Sequence, residues 1–241
     1  GRTFPGTYAL TARRYFHEFD ATHDEWVHVS VKNHMHGFEN EVAHLRKHVS
    51  FEKAQSGFMV ADPLTLYDCC PTSDGASAVI LVADHLAHKF TDTPVWVKGS
   101  GAGSDHLALH DRPSITQLRA TQSAADNAYR AAGVTPKDID LAEVHDCFTI
   151  AEVLATEDLG FTGRGEGGRF AREGEGRRNE GSVTINASGG LKSKGHPLGA
   201  TGTGQAVEIF KQLRHETEPS RQVRDAEIGL THNVGGSGAT C

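Results

Sequence analysis

Asn186-Ala-Ser-Gly-Gly-Leu-Lys-Ser-Lys-Gly-His-Pro-Leu-Gly-Ala-Thr-Gly-Thr-Gly204 is the stretch on which the reading of this chain turns. A strand-like run, Ser182 to Ile185, feeds it, and a helix-like segment, Gln205 to Leu213, leaves it. Its glycines let the backbone pass close to a ligand or to another strand. Pro197 fixes the turn after the single histidine and biases His196 away from helix. Such a loop holds His196 rigidly and leaves room beside it. Taken alone, Gly195-His196-Pro197 is equally compatible with a structural turn that carries an exposed histidine. Two further motifs decide between these readings.

The first is His145-Asp146-Cys147-Phe148, which follows the apolar run Ile139 to Val144 and precedes a helical pattern at Ile150, Val153 and Leu154. A strand that ends in titratable groups just before a helix is where α/β folds build sites. The second is Leu230-Thr-His-Asn-Val-Gly-Gly-Ser-Gly-Ala-Thr-Cys241, another strand entering a glycine-rich turn.

Together these three motifs resemble the thiolase superfamily, and within it the sterol-carrier-protein-type and archaeal thiolases. The distinguishing marks are His-Asp-Cys-Phe where most thiolases carry Asn-Glu-Ala-Phe, and His232-Asn233 in the last loop where others carry a cysteine. Phe4-Pro5-Gly6-x-Tyr8-Ala9-Leu10 fits the same pattern, as does Asp62-Pro63-Leu64-Thr65-Leu66-x-Asp68-Cys69-Cys70-Pro71-x-Ser73-Asp74-Gly75-Ala76. The order and spacing of these motifs along the whole chain make the resemblance specific.

Composition narrows the alternatives. With 241 residues, 37% of them hydrophobic, the chain can bury a core. A net charge of −7 argues against a nucleic-acid or anionic-membrane partner. No apolar run reaches the length of a membrane span. Most of the 15 histidines sit in the first half, as in His34-Met-His36, and read as surface residues. Cys69, Cys70, Cys147 and Cys241 form neither a disulfide framework nor a zinc spacing. Reduced thiols point to an intracellular compartment, the cytoplasm if the source is prokaryotic. Gly1 begins inside a continuing motif, and Cys241 ends on a strand pattern that should run further. The expectation is therefore a fragment of a longer polypeptide.

Along the chain, residues 6–20 read as a helix, and Thr22-x-x-Glu25 as a capping box that opens a second helix to about Lys32. Residues 33–60 read as irregular. The apolar run 75–84 has the composition of a strand buried on both faces, and a short helix follows from Asp84 to Lys89. Val95 to Gly99 starts another strand, Ser114 to Ala132 is a helix ended by Gly133, and Thr149 to Leu159 is a helix. Residues 160–181 read as a solvated loop. Strand 182–185, a helix at about 200–215, strand 227–232 and a last strand from Gly238 complete an alternation that predicts an α/β sheet covered on both faces. The resemblance implies a thiolase fold of αβαβα layers, built from two related halves that each contain a five-stranded mixed sheet. Residues 1–91 are then the end of an incomplete first half, including a substrate-covering excursion, and residues 92–241 a nearly complete second half.

The resemblance also implies chemistry: thiolytic cleavage of a β-ketoacyl-CoA, or the reverse Claisen condensation, with coenzyme A as substrate and no permanently bound cofactor or metal. His196 matches the family's base. His145 matches the residue that serves the enolate oxyanion hole. Cys147 replaces the acid/base cysteine that others carry in the last loop, a role open to a thiol with an ordinary pKa of about 8.5. Main-chain N–H groups at Val234 and Gly235 match the second oxyanion hole. Cys70 falls where many thiolases line the pantetheine channel, and it reads equally as a buried cysteine at a strand start. His232 either shapes the site or only its loop, and Asn186 stands with Gly189-Gly190 as geometry for the His196 loop and as a substrate-binding candidate. Asp146 is expected to bond backbone locally, and Lys192 and Lys194 to be solvated or to meet CoA phosphates. The nucleophilic cysteine that the family carries has no match in this chain. Expected partners are acyl-CoA substrates, a second copy of the chain in at least a dimer, and a possible partner subunit in a condensing complex. The alternative is a thiolase-like acyl-CoA or lipid-binding protein without turnover.

Overall fold

The computed structural model describes residues 3–241. Helix α1 (Phe4–Phe19) starts where the Gly6 N–H donates to Thr3 Oγ1 at 3.2 Å, and it stops at Asp20, whose φ of 52° ends helical geometry. Helix α2 (His23–Phe38) runs past the expected end at Lys32, and the Thr22 side chain forms no cap. The extension survives because its polar residues find partners far along the chain. Lys32 Nζ pairs with Glu152 Oε1 at 2.9 Å and donates to Ile185 O at 2.8 Å, while His36 Nδ1 donates to Asn186 O at 3.0 Å. His34 and His36 are therefore buried, contrary to the surface reading.

The stretch read as irregular also contains the short helix α3 (Phe51–Gln55) and β1 (Met59–Ala61), which pairs antiparallel with β2 (Leu64–Thr65). After it the structure departs from the sequence reading. Residues 75–83 form no ladder with any described residue, and Ile80 is 92% exposed. An apolar run becomes a buried strand only when neighbouring strands and helices cover it, and no described element does so here. Helix α4 (Asp84–Ala87) follows as expected. Residues 95–101 likewise form no ladder. Gly99, Gly101 and Gly103 instead lie against the backbone of α5 (Arg119–Ala132), where an added Cβ at Gly101 would stand 1.9 Å from Ala124 O. The stretch 114–118 ahead of α5 is not helical, and Gly133 caps the helix at a φ of 71°.

The second part of the chain builds the sheet: β3 (Leu141–Glu143), α6 (Thr149–Asp158), α7 (Gly167–Glu173), β4 (Thr184–Ile185), α8 (Gly190–Ser193), α9 (Thr201–Leu213) and β5 (Gly229–Thr231). The strands pair in parallel in the order β4–β3–β5. Helix α6 is buried on every face, as befits a helix at the centre of a layered fold. Helix α7 corrects the solvated-loop reading of 160–181, because Phe170 on it packs with Val144, Ala155 and Ile185. Among the described residues the sheet has three strands rather than five. Separately, Ser104 pairs antiparallel with Thr240 in an isolated bridge.

Candidate active site

Each of the three polar motifs leaves the carboxyl end of one of three adjacent parallel strands. His145 follows β3, Asn186 and the His196 loop follow β4, and His232 follows β5. This is the edge of an α/β sheet at which ligands bind.

Carboxylates on the central strand hold the His196 loop. Ser188 gives both its N–H and its hydroxyl to the Glu143 carboxylate, at 2.9 and 2.5 Å. Asp146 accepts the N–H groups of Leu191 and Lys192 at 2.7 and 3.3 Å, so it clamps the distant α8 rather than bonding locally as expected. Gly190 is required there, because a Cβ would stand 2.5 Å from Asp146 Oδ2. Burial pushes both acids up, Glu143 to about 7 and Asp146 to about 6, against the pull of these donors. Asn186 is part of the same scaffold. It is 0% exposed, accepts from Val144 N–H and donates to Glu152 Oε2, so no substrate reaches it. Lys192 is 1% exposed and its Nζ has no hydrogen-bond partner, so it is not a solvated lysine.

At the far end of the loop, the His196 backbone N–H donates to Ser73 Oγ at 3.2 Å. His196 Nδ1 lies 2.7 Å from Thr201 Oγ1, and that hydroxyl donates its single proton to Pro197 O at 3.1 Å. The threonine oxygen must therefore accept, so Nδ1 carries the hydrogen and Nε2 keeps its lone pair. Burial, aided by the nearby His145 and Lys194, lowers the imidazole pKa to about 4. At neutral pH His196 is thus an uncharged base with its free nitrogen fixed.

The His145 ring meets the His196 ring edge-on, with centroids 5.0 Å apart and planes at 88°. Its Nδ1 donates to Asn233 Oδ1 at 3.2 Å, and Gln205, bonded both to Asn233 and to His232 O, fixes that amide. Neutral His145 therefore carries its hydrogen on Nδ1 and keeps a lone pair, not an N–H, on Nε2. His232 is 3% exposed and commits both nitrogens, Nδ1 to the His145 N–H at 3.4 Å and Nε2 to Thr121 Oγ1 at 3.0 Å. Burial lowers its pKa to about 3, so it stands as a neutral support under His145 and not as a substrate contact.

The other predicted residues lie in different surroundings. Cys147 is 7% exposed in an apolar cluster with Tyr8, Phe148 and Leu118, and burial drives its thiol pKa far up. The Cys70 N–H donates to Cys147 O at 2.9 Å, and burial raises the Cys70 thiol to about 11. The Gly235 N–H already donates to Thr240 O at 3.0 Å, which leaves it unavailable to an oxyanion in this conformation, and Val234 packs against the cluster that holds Cys147. Among the described residues, no hydrogen bond or ring contact joins a cysteine to His196. Among the described residues, no group of three or more His, Cys, Asp or Glu side chains is placed to hold a metal ion, and no helix is long and apolar enough to cross a membrane.

Thr201, Asn233 and Ser73 hold His196 and His145 by hydrogen bonds, and the sequence reading gave them no role. Thr201 carried a signal, since a threonine four residues after a loop carbonyl commonly bonds back to it. Thr201→Val keeps the shape and removes the Nδ1 acceptor. The preference for hydrogen on Nδ1 is expected to fall roughly tenfold, the effect of one neutral hydrogen bond. The check is the nitrogen shifts of the His196 ring beside the melting temperature: a changed tautomer balance with an unchanged melt is the expected result, and an unchanged balance would release Thr201 from this role.

A family model described as thiolase C-terminal domain-like matches residues 101–240. An acetyl-CoA acetyltransferase of Methanothermobacter thermautotrophicus is 52% identical over 100% of this chain and 62% of that protein. Sterol carrier protein 2 of Bos taurus is 35% identical over 98% of this chain and 44% of its own length. Among solved structures, an Ltp2-ChsH2(DUF35) aldolase superposes with a TM-score of 0.84 at 26% identity, covering 93% of this chain and 59% of that one.

Proposed function

We propose, because this chain belongs to the thiolase family, that it carries the base-bearing portion of an acyl-CoA thiolase. The complete protein would cleave a β-ketoacyl-CoA with coenzyme A or run the reverse condensation of acetyl-CoA. The observation that carries this reading is His196, which Thr201 holds as a neutral imidazole with Nε2 free beside His145. The chain spans 62% of the archaeal relative it matches, so the activity of a whole thiolase is part of this proposal. The acylated cysteine belongs to it too, and so does the division of the chain at residue 91. The unpaired apolar run 75–83 supports the reading, since the αβαβα core of a thiolase would cover it.

In this reaction His196 Nε2 takes the proton of the nucleophilic thiol, and the thiolate attacks the acyl-CoA carbonyl carbon. The C–S bond to coenzyme A breaks, and the departing thiolate receives the proton. Cys147, as thiolate, then removes the α-proton of a second acetyl-CoA. The resulting carbanion attacks the acyl-enzyme, and the enzyme's thiolate leaves and takes, relayed by His196 Nε2, the proton that Cys147 removed, which returns Cys147 to its thiolate. Acyl-CoA is thus the substrate class, with no bound cofactor in the cycle. Copies of this chain and a separate subunit are the proposed partners, and the relative solved with a DUF35 partner lends the second of these its support.

The competing reading is an acyl-CoA or lipid carrier without turnover, which the similarity to sterol carrier protein 2 favours. The test is intact-mass spectrometry of the full-length protein after incubation with acetyl-CoA. One added acetyl group, discharged by coenzyme A, is the expected result. Tight binding of acyl-CoA with no covalent adduct would replace the thiolase by the carrier.

A further inference from the structure

Helix α9 carries Thr201 and Gln205 four residues apart, so their side chains leave one face of the helix a turn apart. Thr201 holds His196. Gln205, which is 0% exposed, reaches the other histidine through one intermediary. Its Nε2 donates to the main-chain oxygen of His232 at 3.3 Å. A carbonyl oxygen only accepts, so this amide cannot be reversed without setting two buried oxygens against each other. Its Oε1 is left to accept from Asn233 Nδ2. That bond commits Asn233 in turn. With its nitrogen on Gln205, its Oδ1 is the atom that meets His145 Nδ1, at 3.2 Å. Gly202 lets Asn233 come this close to α9, because a Cβ there would stand 3.1 Å from Asn233 Nδ2.

We propose that Gln205 is the positioning residue of His145, setting through Asn233 which ring nitrogen carries the hydrogen. Its weight for catalysis rests on reading His145 and His196 as the base-bearing site of a thiolase. An asparagine alone imposes no such order, since its amide can offer the ring either an oxygen or a nitrogen. The order comes from the buried glutamine and the carbonyl behind it. Each histidine is thereby tied to a main-chain oxygen, His196 through Thr201 to Pro197 O, and His145 through Asn233 and Gln205 to His232 O. Both ties run through one turn of α9, and both leave the hydrogen on Nδ1 and the lone pair on Nε2. His232 closes the arrangement. Its main-chain oxygen orients Gln205, while its Nδ1 accepts the backbone N–H of His145 at 3.4 Å. One helix therefore holds the two rings, whose centroids are 5.0 Å apart, in the same protonation pattern.

Gln205→Met keeps the length of the side chain, removes both ends of the amide, and frees Asn233 to turn its nitrogen to the ring. In the full-length protein made with isotope-labelled histidine, the nitrogen shifts of His145, assigned by their loss in His145→Asn, report where the hydrogen sits. The wild type holds it on Nδ1 at neutral pH. In Gln205→Met that preference is expected to fall roughly tenfold, the effect of one neutral hydrogen bond, while the His196 ring keeps its pattern. Gln205→Glu still offers Asn233 an acceptor, so there the hydrogen stays on Nδ1. Adding Gln205→Met to Asn233→Leu moves the balance no further than Asn233→Leu alone, since the effect passes through that amide. Where Gln205→Met folds poorly, Gly202→Ala tests the same link, because its methyl crowds Asn233 Nδ2 away from Gln205 and shifts the balance likewise. An unmoved His145 balance in Gln205→Met and Gly202→Ala overturns the assignment. So does an equal shift in Gln205→Met and Gln205→Glu, which would mean that any change in this packing disturbs the ring. Both results leave the thiolase reading standing, because the measurement needs no turnover. A protein that takes up no acetyl group from acetyl-CoA would lose that reading and still show the Gln205 effect on the tautomer.

Discussion

His196→Ala in the full-length protein is expected to abolish both half-reactions, acylation by acetyl-CoA and condensation. General bases typically contribute about 10²- to 10⁴-fold, and here one residue acts in two steps, so neither step escapes. The reason lies in the nitrogen that Thr201 leaves free. With Nδ1 donating to Thr201 Oγ1, only Nε2 can receive the nucleophile's proton and later return it. The pH dependence carries its own signature. The imidazole is lowered to about 4, so its base form is present above that value. Activity that depends on this base is then constant through neutral pH and falls as pH drops through about 4. The measurement is the rate of acylation against pH, beside the variant. A limb near the ordinary histidine value of about 6.5 would mean that the complete protein gives His196 a different environment. Activity surviving in His196→Ala would remove it from the chemistry.

The site was legible in the sequence where chemistry and local pattern coincide. Strand, glycine-rich loop and histidine follow one another within residues 182–204, and that adjacency placed His196 at a strand end before any contact was known. Helices α1, α5, α6 and α9 declared themselves by period and by Gly133. The misses share one cause, which is that the deciding partner sits far along the chain. Lys32 and His36 look like surface residues until Glu152, Ile185 and Asn186 accept from them. Lys192 looks solvated until α8 buries it above Asp146. The run 75–83 fails in the other direction: its composition asks for a covered strand, and no described element covers it. Roles were harder to read than places. His232 and Asn186 stand in the site region, but their hydrogen bonds are already committed, and no sequence pattern reports whether a side chain is committed.

Cys147→Ala is expected to separate the two half-reactions that His196→Ala removes together. The side chain is buried among apolar groups and makes no hydrogen bond to His196, so truncating it leaves the base and its Thr201 support in place. Acetyl transfer from acetyl-CoA to the enzyme should then proceed at close to the wild-type rate. Condensation needs a second group to take the α-proton, and it should fall by about 10²- to 10⁴-fold. Stability is a competing explanation, because the thiol fills space beside Tyr8 and Phe148, but losing one small buried group costs on the order of 1 kcal/mol and lowers both steps equally. The decisive comparison is therefore single-turnover acylation beside condensation in the same preparation. Equal losses would show that Cys147 only fills the core. The acid/base role would not then pass to His232, whose two nitrogens are held by the His145 N–H and by Thr121. It would pass to His145, which meets the His196 ring edge-on and keeps a lone pair on Nε2.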